Sequence, residues 1–427
     1  MDRVRRWLSR LPQSTLRQRL IAAGIALLVV VAAAGGGLAL HDRTQRARTP
    51  RPAAERRPTP SPGRDATPTS TPSPAPGPGG LPPLSVSGNQ ILAGGKPTHL
   101  VGVNYDGTEY ACFQGRGIFD SGAPDTVAGV QALQSWHVRF VRMPLNEDCW
   151  LGINGVPAAF SGARYQAAVV HFVTELNQAG IYVDLDLHNV APGSTESTLD
   201  LQMADLDHAP AFWSSVAGAL KGDPDVVFDV YNEPHALPSW SCWLNGSPAP
   251  DTAPCTGVDY AVAGMQSLVN AVRQAGATTQ PILLSGMNFA SDITGIPANL
   301  PFDPDHALVA DAHVYGPAGD QPCNTPACFS AQFLPVLDGQ GQYPAMPIMV
   351  DESGEDYENP TTDCSTTVVK PMYQWLNQYG IGYASWVWNA AYPDSDCMRL
   401  VDTTGGQLNP GDPYAAFVQQ NLAQEGG

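Results

Sequence analysis

Past residue 80 the chain is poor in basic side chains: thirteen of its 22 Lys and Arg lie in residues 1 to 80 beside four acids, which leaves nine bases against 36 acids in residues 81 to 427. A body that acidic repels phosphate backbones, so nucleic acid is not an expected partner. Cysteine is missing before residue 112, and no Cys-x-x-Cys occurs anywhere, nor a His at ligand spacing beside a Cys pair. A cysteine-based zinc centre is therefore not expected, and no metal is assigned. No Gly-x-Gly-x-x-Gly follows a candidate strand, so nothing marks a dinucleotide site, and no cofactor is expected. Charge is absent altogether from one stretch, Leu20 to Leu40.

That stretch, LIAAGIALLVVVAAAGGGLAL, is 21 residues long and follows Arg3, Arg5, Arg6, Arg10, Arg17 and Arg19. It is long enough to cross a bilayer, which takes about 20 apolar residues. Arginines on its far side as well (Arg43, Arg46, Arg48) prevent charge counting from orienting it. Residues 1 to 41 are read as a basic segment with a membrane anchor, a cleaved signal peptide being the rival. Residues 42 to 80, ending ATPTSTPSPAPGPGG, hold almost no large apolar side chain and read as a disordered, extended spacer. Residues 81 to 427 are left as one catalytic body, expected to be extracellular, anchored or secreted.

All eight cysteines lie in that body, and an even number in an exported chain suggests four disulfides. Neighbourhood in sequence favours Cys242 with Cys255, Cys323 with Cys328, Cys112 with Cys149, and Cys364 with Cys397.

Eight short apolar, β-branched runs recur: residues 98–105, 137–143, 180–187, 225–231, 281–286, 307–314, 347–352 and 383–388. Between them, segments such as Tyr165 to Gly180 and Tyr260 to Gly276 space apolar residues at three and four and end in Gly, as capped helices do. Strand and helix alternating eight times predict an α/β fold, a (β/α)₈ TIM barrel with extended loops, and a final helix near Pro413 to Gln424. A doubly wound open sheet is the alternative.

In such a barrel, reactive residues sit at the C-terminal ends of the strands. There the sequence places Arg142, His188 with Asn189, Asn232 with Glu233, His313 with Tyr315, Glu352, and Trp386. Two carboxylates from opposite sides of a barrel mouth suit glycoside cleavage; about 5 to 5.5 Å apart, they predict retention of configuration. Asp351 is expected on the opposite strand face by alternation, with Asp148, Glu355 and Asp356 in loops.

VYNEPH (230–235) and PIMVDESG (347–354) resemble the strand-four Asn-Glu-Pro and strand-seven Glu motifs of glycoside hydrolase family 5, the cellulase family. VRMP, DLH, HVY and SWVW, in the same order, resemble its further motifs, and the likeness covers most of residues 95–410. It implies that Glu233 is the acid/base and Glu352 the nucleophile, that Arg142 and Tyr315 keep Glu352 ionised, and that Asn232 meets the sugar 2-hydroxyl. It further implies that His188 and His313 position hydroxyls or carboxylates and that Trp386 backs a sugar ring. As an acid, Glu233 is expected to hold its proton near neutral pH. The expected substrate is an internal β-1,4-linked glucan such as cellulose; a β-mannan or another β-glycan is the nearest alternative, and a non-catalytic carbohydrate-binding barrel is the alternative of another class. Two loops fall outside the motifs: 235–257, whose Trp240 and Trp243 either add a sugar subsite or pack within the loop, and 317–330.

Overall fold

The eight apolar runs close on one another because each has side chains to bury on both faces, one toward the barrel axis and one toward a shell of helices. The computed structural model describes residues 76–77, 79–120, 125–316, 325–355, 366–391, 398–403, 405–408 and 411–426, all within the unit Ser70–Gly427. The candidate anchor, nearly all of the spacer, Asp356, Cys323, Cys364 and Cys397 lie outside the described residues. No helix among the described residues is long and apolar enough to cross a membrane.

An antiparallel sheet of β1 (Leu84–Ser87), β2 (Gln90–Ala93) and β3 (Lys96–Pro97) precedes the barrel. The barrel strands are β4 (Val101–Asn104), β5 (Phe140–Asn146), β6 (Tyr182–Asn189) and β7 (Val226–Asp229). After an insert carrying β8 (Gly246–Ser247) and β9 (Val262–Ala263) come β10 (Ile282–Ser285), β11 (Leu308–Tyr315), β12 (Ile348–Gly354) and β13 (Gly382–Ser385). All eight barrel strands pair in parallel, and β13 closes the ring on β4.

The helices are α1 (Val127–Ser135), α2 (Glu147–Leu151), α3 (Ala163–Gln178), α4 (Ala209–Leu220), α5 (Trp240–Asn245), α6 (Met265–Gln274), α7 (Pro326–Leu337), α8 (Val369–Tyr379) and α9 (Pro413–Glu425). Their starts follow local chemistry: Thr126, Asn146 and Asp412 each accept a backbone N–H of the first turn. Gly180 and Gly276, at φ +84° and +98°, end the chain's helical course after α3 and α6.

Two elements differ from the sequence reading. Helix α6 starts at Met265 rather than Tyr260, because Val262–Ala263 is taken by pairing with Gly246–Ser247. Between β10 and β11 the described chain makes only the 3₁₀ turn Ile296–Ala298. Pro297, Pro301 and Pro304 remove backbone donors across that stretch, which defeats an α-helical ladder.

Inside the barrel, side chains two residues apart share the axial face. The lower layer is apolar: Leu100, Phe140, Tyr182, Val227, Leu283, Val309, Met349 and Ala384 form one buried cluster with Leu84 and Ile91 of the N-terminal hairpin, which plugs that end. One step up each strand the layer turns polar, with Arg142, Asp184, Asp229, Ser285, Asp311 and Asp351 all buried.

Gly102 of β4 is required by this closure, since a Cβ there would stand 1.7 Å from the Phe140 carbonyl oxygen of β5. Backbone, not a side-chain tip, would have to move. Gly102→Ala is expected to lower the urea unfolding free energy by about 3 kcal/mol or more, the upper end of overpacking costs.

Candidate active site

The polar layer is organised by one cation. Arg142 is fully buried at the middle of β5, and its three nitrogens reach residues from five other segments. Nη1 donates to Glu352 Oε2 at 2.8 Å and to Asn104 Oδ1 at 3.1 Å. Nη2 donates to Asn232 Oδ1 at 2.7 Å and pairs with Asp229 and Asp186 at 3.0 and 3.1 Å. Nε stands 3.0 Å from Asp351 Oδ2.

His313 is the second cation. Its Nδ1 is 2.8 Å from Glu233 Oε1 and 3.8 Å from Glu352 Oε2; its Nε2 is 3.1 Å from Asp351 Oδ1. Burial pushes the imidazole down, but Glu352, Asp351 and Glu233 outweigh it and raise its pKa well above the usual value. Its surroundings therefore favour the imidazolium form. Burial likewise pushes Asp351 up, and Arg142 and His313 overcome it, holding that carboxyl below the usual range.

Asp351 corrects the sequence reading, which put it on the outer face. Met349 and Asp351 are two apart and both point inward, and a bulge then turns the next residue, Glu352, into the mouth as well. The register shows the extra residue: Asp311 to His313 on β11 spans two steps, while the partners Met349 to Glu352 on β12 span three. Two carboxylates from consecutive positions thereby serve the same site.

Glu233 lies just past β7 in Tyr231-Asn232-Glu233-Pro234, with its side chain 20% exposed. One carboxylate oxygen of Glu233 and one of Glu352 lie within 4.8 Å of each other. Burial raises the Glu233 carboxyl, yet the His313 bond and charge, with His188 and Arg142, hold it below its usual value. This differs from the expectation that Glu233 holds its proton near neutral pH: the shifts favour placing the proton of the pair on His313. Tyr315 donates to Glu352 Oε1 at 2.5 Å, the second donor on that carboxylate after Arg142.

The other expected residues divide. Asn232 gives its oxygen to Arg142, which leaves its NH₂ to offer. His188 stacks on Trp386 (centroids 6.3 Å, 19°) and meets Asp186 at 2.7 Å. Burial drives His188 down to about 4 and Asp186 up to about 8, so both shifts favour the neutral form of that pair. Asn189 turns away, donating to the Glu109 carbonyl at 3.2 Å. Trp386 is 8% exposed and packs with Tyr315, Val387 and Met398. Two of the expected loop acids are structural: Glu355 accepts the N–H groups of Thr367, Val368 and Val369 at the start of α8, and Asp148 accepts from Ser197 N and Asn154 Nδ2.

Disulfides join Cys112 to Cys149 and Cys242 to Cys255, and Cys328 is also disulfide-bonded. The aromatics of the 235–257 loop pack inward. Trp243 is buried and donates to the Ser285 carbonyl, and Trp240 meets it edge-on at 5.2 Å. An aromatic that sequence reasoning missed stands at the mouth instead: Phe289, 42% exposed, stacks on His235 at 4.3 Å and 8°. It sits in a run of positive φ, Asn288 to Ala290, that no pattern of apolar spacing signals.

His313 groups with Glu233 and Glu352, and with Asp311 and Asp351, at distances that suit a metal. In both groups the imidazole nitrogens already face carboxylates, Nδ1 toward Glu233 and Nε2 toward Asp351.

Residues 93–392 match the family model for cellulase, glycosyl hydrolase family 5. A probable endo-β-1,4-glucanase B of Neosartorya fischeri is 24% identical over 250 residues, 56% of this chain and 67% of the relative. An endoglucanase of Saitozyma flava is 25% identical over 261 residues, 58% and 67% of the two chains. Among solved structures, an endocellulase of Pyrococcus horikoshii in complex with cellotetraose superposes at TM-score 0.59 with 18% identity, over 82% of this chain and 100% of that one. The endoglucanase catalytic domain of Thermobifida fusca does so at 0.54 with 16% identity, over 80% and 97%. These structures share the barrel.

The raised His313 pKa sets a pH dependence of stability. A group protonated more readily in the folded chain stabilises fully below its unfolded pKa near 6.5 and loses that contribution as pH rises through the higher folded value. The gap in unfolding free energy between the native chain and His313→Gln should therefore shrink above pH 6.5, by at most about 1.4 kcal/mol per pH unit. A gap that widens with pH in denaturant titrations would contradict the imidazolium assignment.

Proposed function

Since the chain belongs to the cellulase family, glycosyl hydrolase family 5, we propose that it cleaves internal β-1,4 bonds of a glucan by a retaining double displacement, with Glu352 as nucleophile and Glu233 as acid/base. The observation that carries this reading is the approach of the two carboxylates to within 4.8 Å. That approach supports the separation of about 5 to 5.5 Å used by retaining pairs over the roughly 6.5 to 9.5 Å that leaves room for an inverting enzyme's water.

Arg142 and Tyr315 give Glu352 two strong donors, the surroundings an attacking carboxylate needs. As the glycosidic bond breaks, the proton held on His313 passes through Glu233 to the leaving oxygen. In the second step a water attacks the glycosyl–Glu352 ester and returns a proton to Glu233 and His313, restoring the starting state. Asn232, oriented by Arg142, offers its NH₂ to the 2-hydroxyl, a bond that strengthens as positive charge grows on the ring. Phe289 and Trp386 supply apolar faces for neighbouring sugars. The named relatives support a β-glucan as substrate. The two described disulfides support action in an oxidising, extracellular setting, whether tethered or released.

The test is the stereochemistry of cleavage followed by proton NMR on soluble β-glucan, beside mannan and xylan. The β-anomer should appear first, from glucan. Glu352→Gln should release no new reducing ends, and Glu233→Gln should lower kcat by about 10²- to 10⁴-fold. First appearance of the α-anomer overturns the double displacement; release from mannan alone replaces the substrate; binding without cleavage makes the chain a carbohydrate-binding barrel.

A further inference from the structure

Away from the catalytic pair, the loops after β5 and β6 bury a second group of acids. Glu147 begins α2 and Asp205 lies shortly before α4, and both side chains are fully buried. His208 stands against both. Its Nδ1 is 3.6 Å from Glu147 Oε1, 3.7 Å from Asp205 Oδ1 and 3.2 Å from the Ala191 carbonyl oxygen.

Each carboxylate has one oxygen engaged by backbone: Ala191 N donates to Glu147 Oε1 and His208 N to Asp205 Oδ1. The other oxygens, Glu147 Oε2 and Asp205 Oδ2, are buried without a hydrogen-bond partner. Among the described residues, the ion pairs of both acids run to His208 alone. Two desolvated carboxylates facing one imidazole are short of positive charge, a costly arrangement unless protons or a cation complete it.

The geometry points to a divalent transition-metal site of the zinc type, with Glu147, Asp205 and His208 Nδ1 as ligands and a fourth position for water. Three potential ligand atoms, one from each residue, lie within 4.8 Å of one another. Separations of 3.6 and 3.7 Å are too long for hydrogen bonds, yet they lie near the edge of about 3.4 Å for a tetrahedron with ligand lengths of about 2.1 Å. A nitrogen with only two carboxylates suits zinc and its neighbours better than calcium, which takes six to eight oxygens. Nδ1 also faces the Ala191 carbonyl oxygen at 3.2 Å, which it meets as a donor, so uptake of the ion displaces that proton and releases it to solvent. The ion ties the loop after β5 to the start of α4.

The full chain, stripped with chelator and dialysed, should take up one Co²⁺ with the visible absorption of a tetrahedral centre, and Zn²⁺ should displace it and raise the unfolding midpoint. His208→Ala and Asp205→Asn should each abolish the band, while Glu352→Gln keeps it, which separates this site from the catalytic carboxylates. His208 is 20% exposed and makes no side-chain cap bond to α4, so its replacement leaves a folded control. Failure of the native chain to bind Co²⁺ or Zn²⁺ above the level of the two variants overturns the proposal. So does binding that survives His208→Ala, or retention of Ca²⁺ alone.

Discussion

The buried guanidinium of Arg142 is the constraint on which the upper half of the barrel depends. It stands among Asp186, Asp229, Asp351 and Glu352, none more than 3.1 Å away. One cation cannot neutralise four anions, and the barrel resolves the excess by sorting them. Asp229 and Asp186, like Asp184 and Asp311 beside them, are pushed up chiefly by burial, toward the neutral form. Asp351 is held below the usual carboxylate range against its burial, with Arg142 Nε on one oxygen and His313 Nε2 on the other. Charge is thereby concentrated at the mouth and neutrality is kept below it.

This sorting links fold to chemistry. Strands with an apolar lower layer and a polar upper layer need something to close the apolar end, and the hairpin bearing Leu84 and Ile91 does so. With that end sealed and dry, the electrostatic interactions above it act in a medium of low polarity. His313, between Glu233 and Asp351, has its pKa raised by those acids against its burial, where an exposed histidine would release its proton near neutrality.

The barrel itself was legible in the sequence because its strands are buried on both faces and so read as continuous apolar runs. Where proline replaced helical periodicity, at residues 297, 301 and 304, the regular alternation gave a helix that the chain does not make. Glu233 and Glu352 were legible through short motifs at strand ends. Asp351 was not, since a single-residue bulge breaks the alternation used to assign its face, and the bulge has no local signature. The charge state of Glu233 was equally hidden: it depends on His313, 80 positions away, whose distance from Glu233 only the closed barrel defines. Phe289 escaped because its exposure follows from left-handed backbone, not from composition.

The insert after β7 is gathered at its neck, where Gly246–Ser247 pairs with Val262–Ala263, and it is held down by Trp243 on the Ser285 carbonyl and by the Cys242–Cys255 bond. Between the paired residues the chain returns to the barrel's loops at its end, where the Tyr260 hydroxyl meets the Met203 backbone and the Ala261 carbonyl accepts from Leu206 N. Such a clasped segment behaves as a cassette. Residues 248–254, ahead of Cys255 and none of them buried, can lengthen, shorten or change in sequence at a small loop-closure cost, since each doubling of length adds only about 0.6 kcal/mol. The rim of the cleft is thus free to diverge while the carboxylate pair beneath it stays in place.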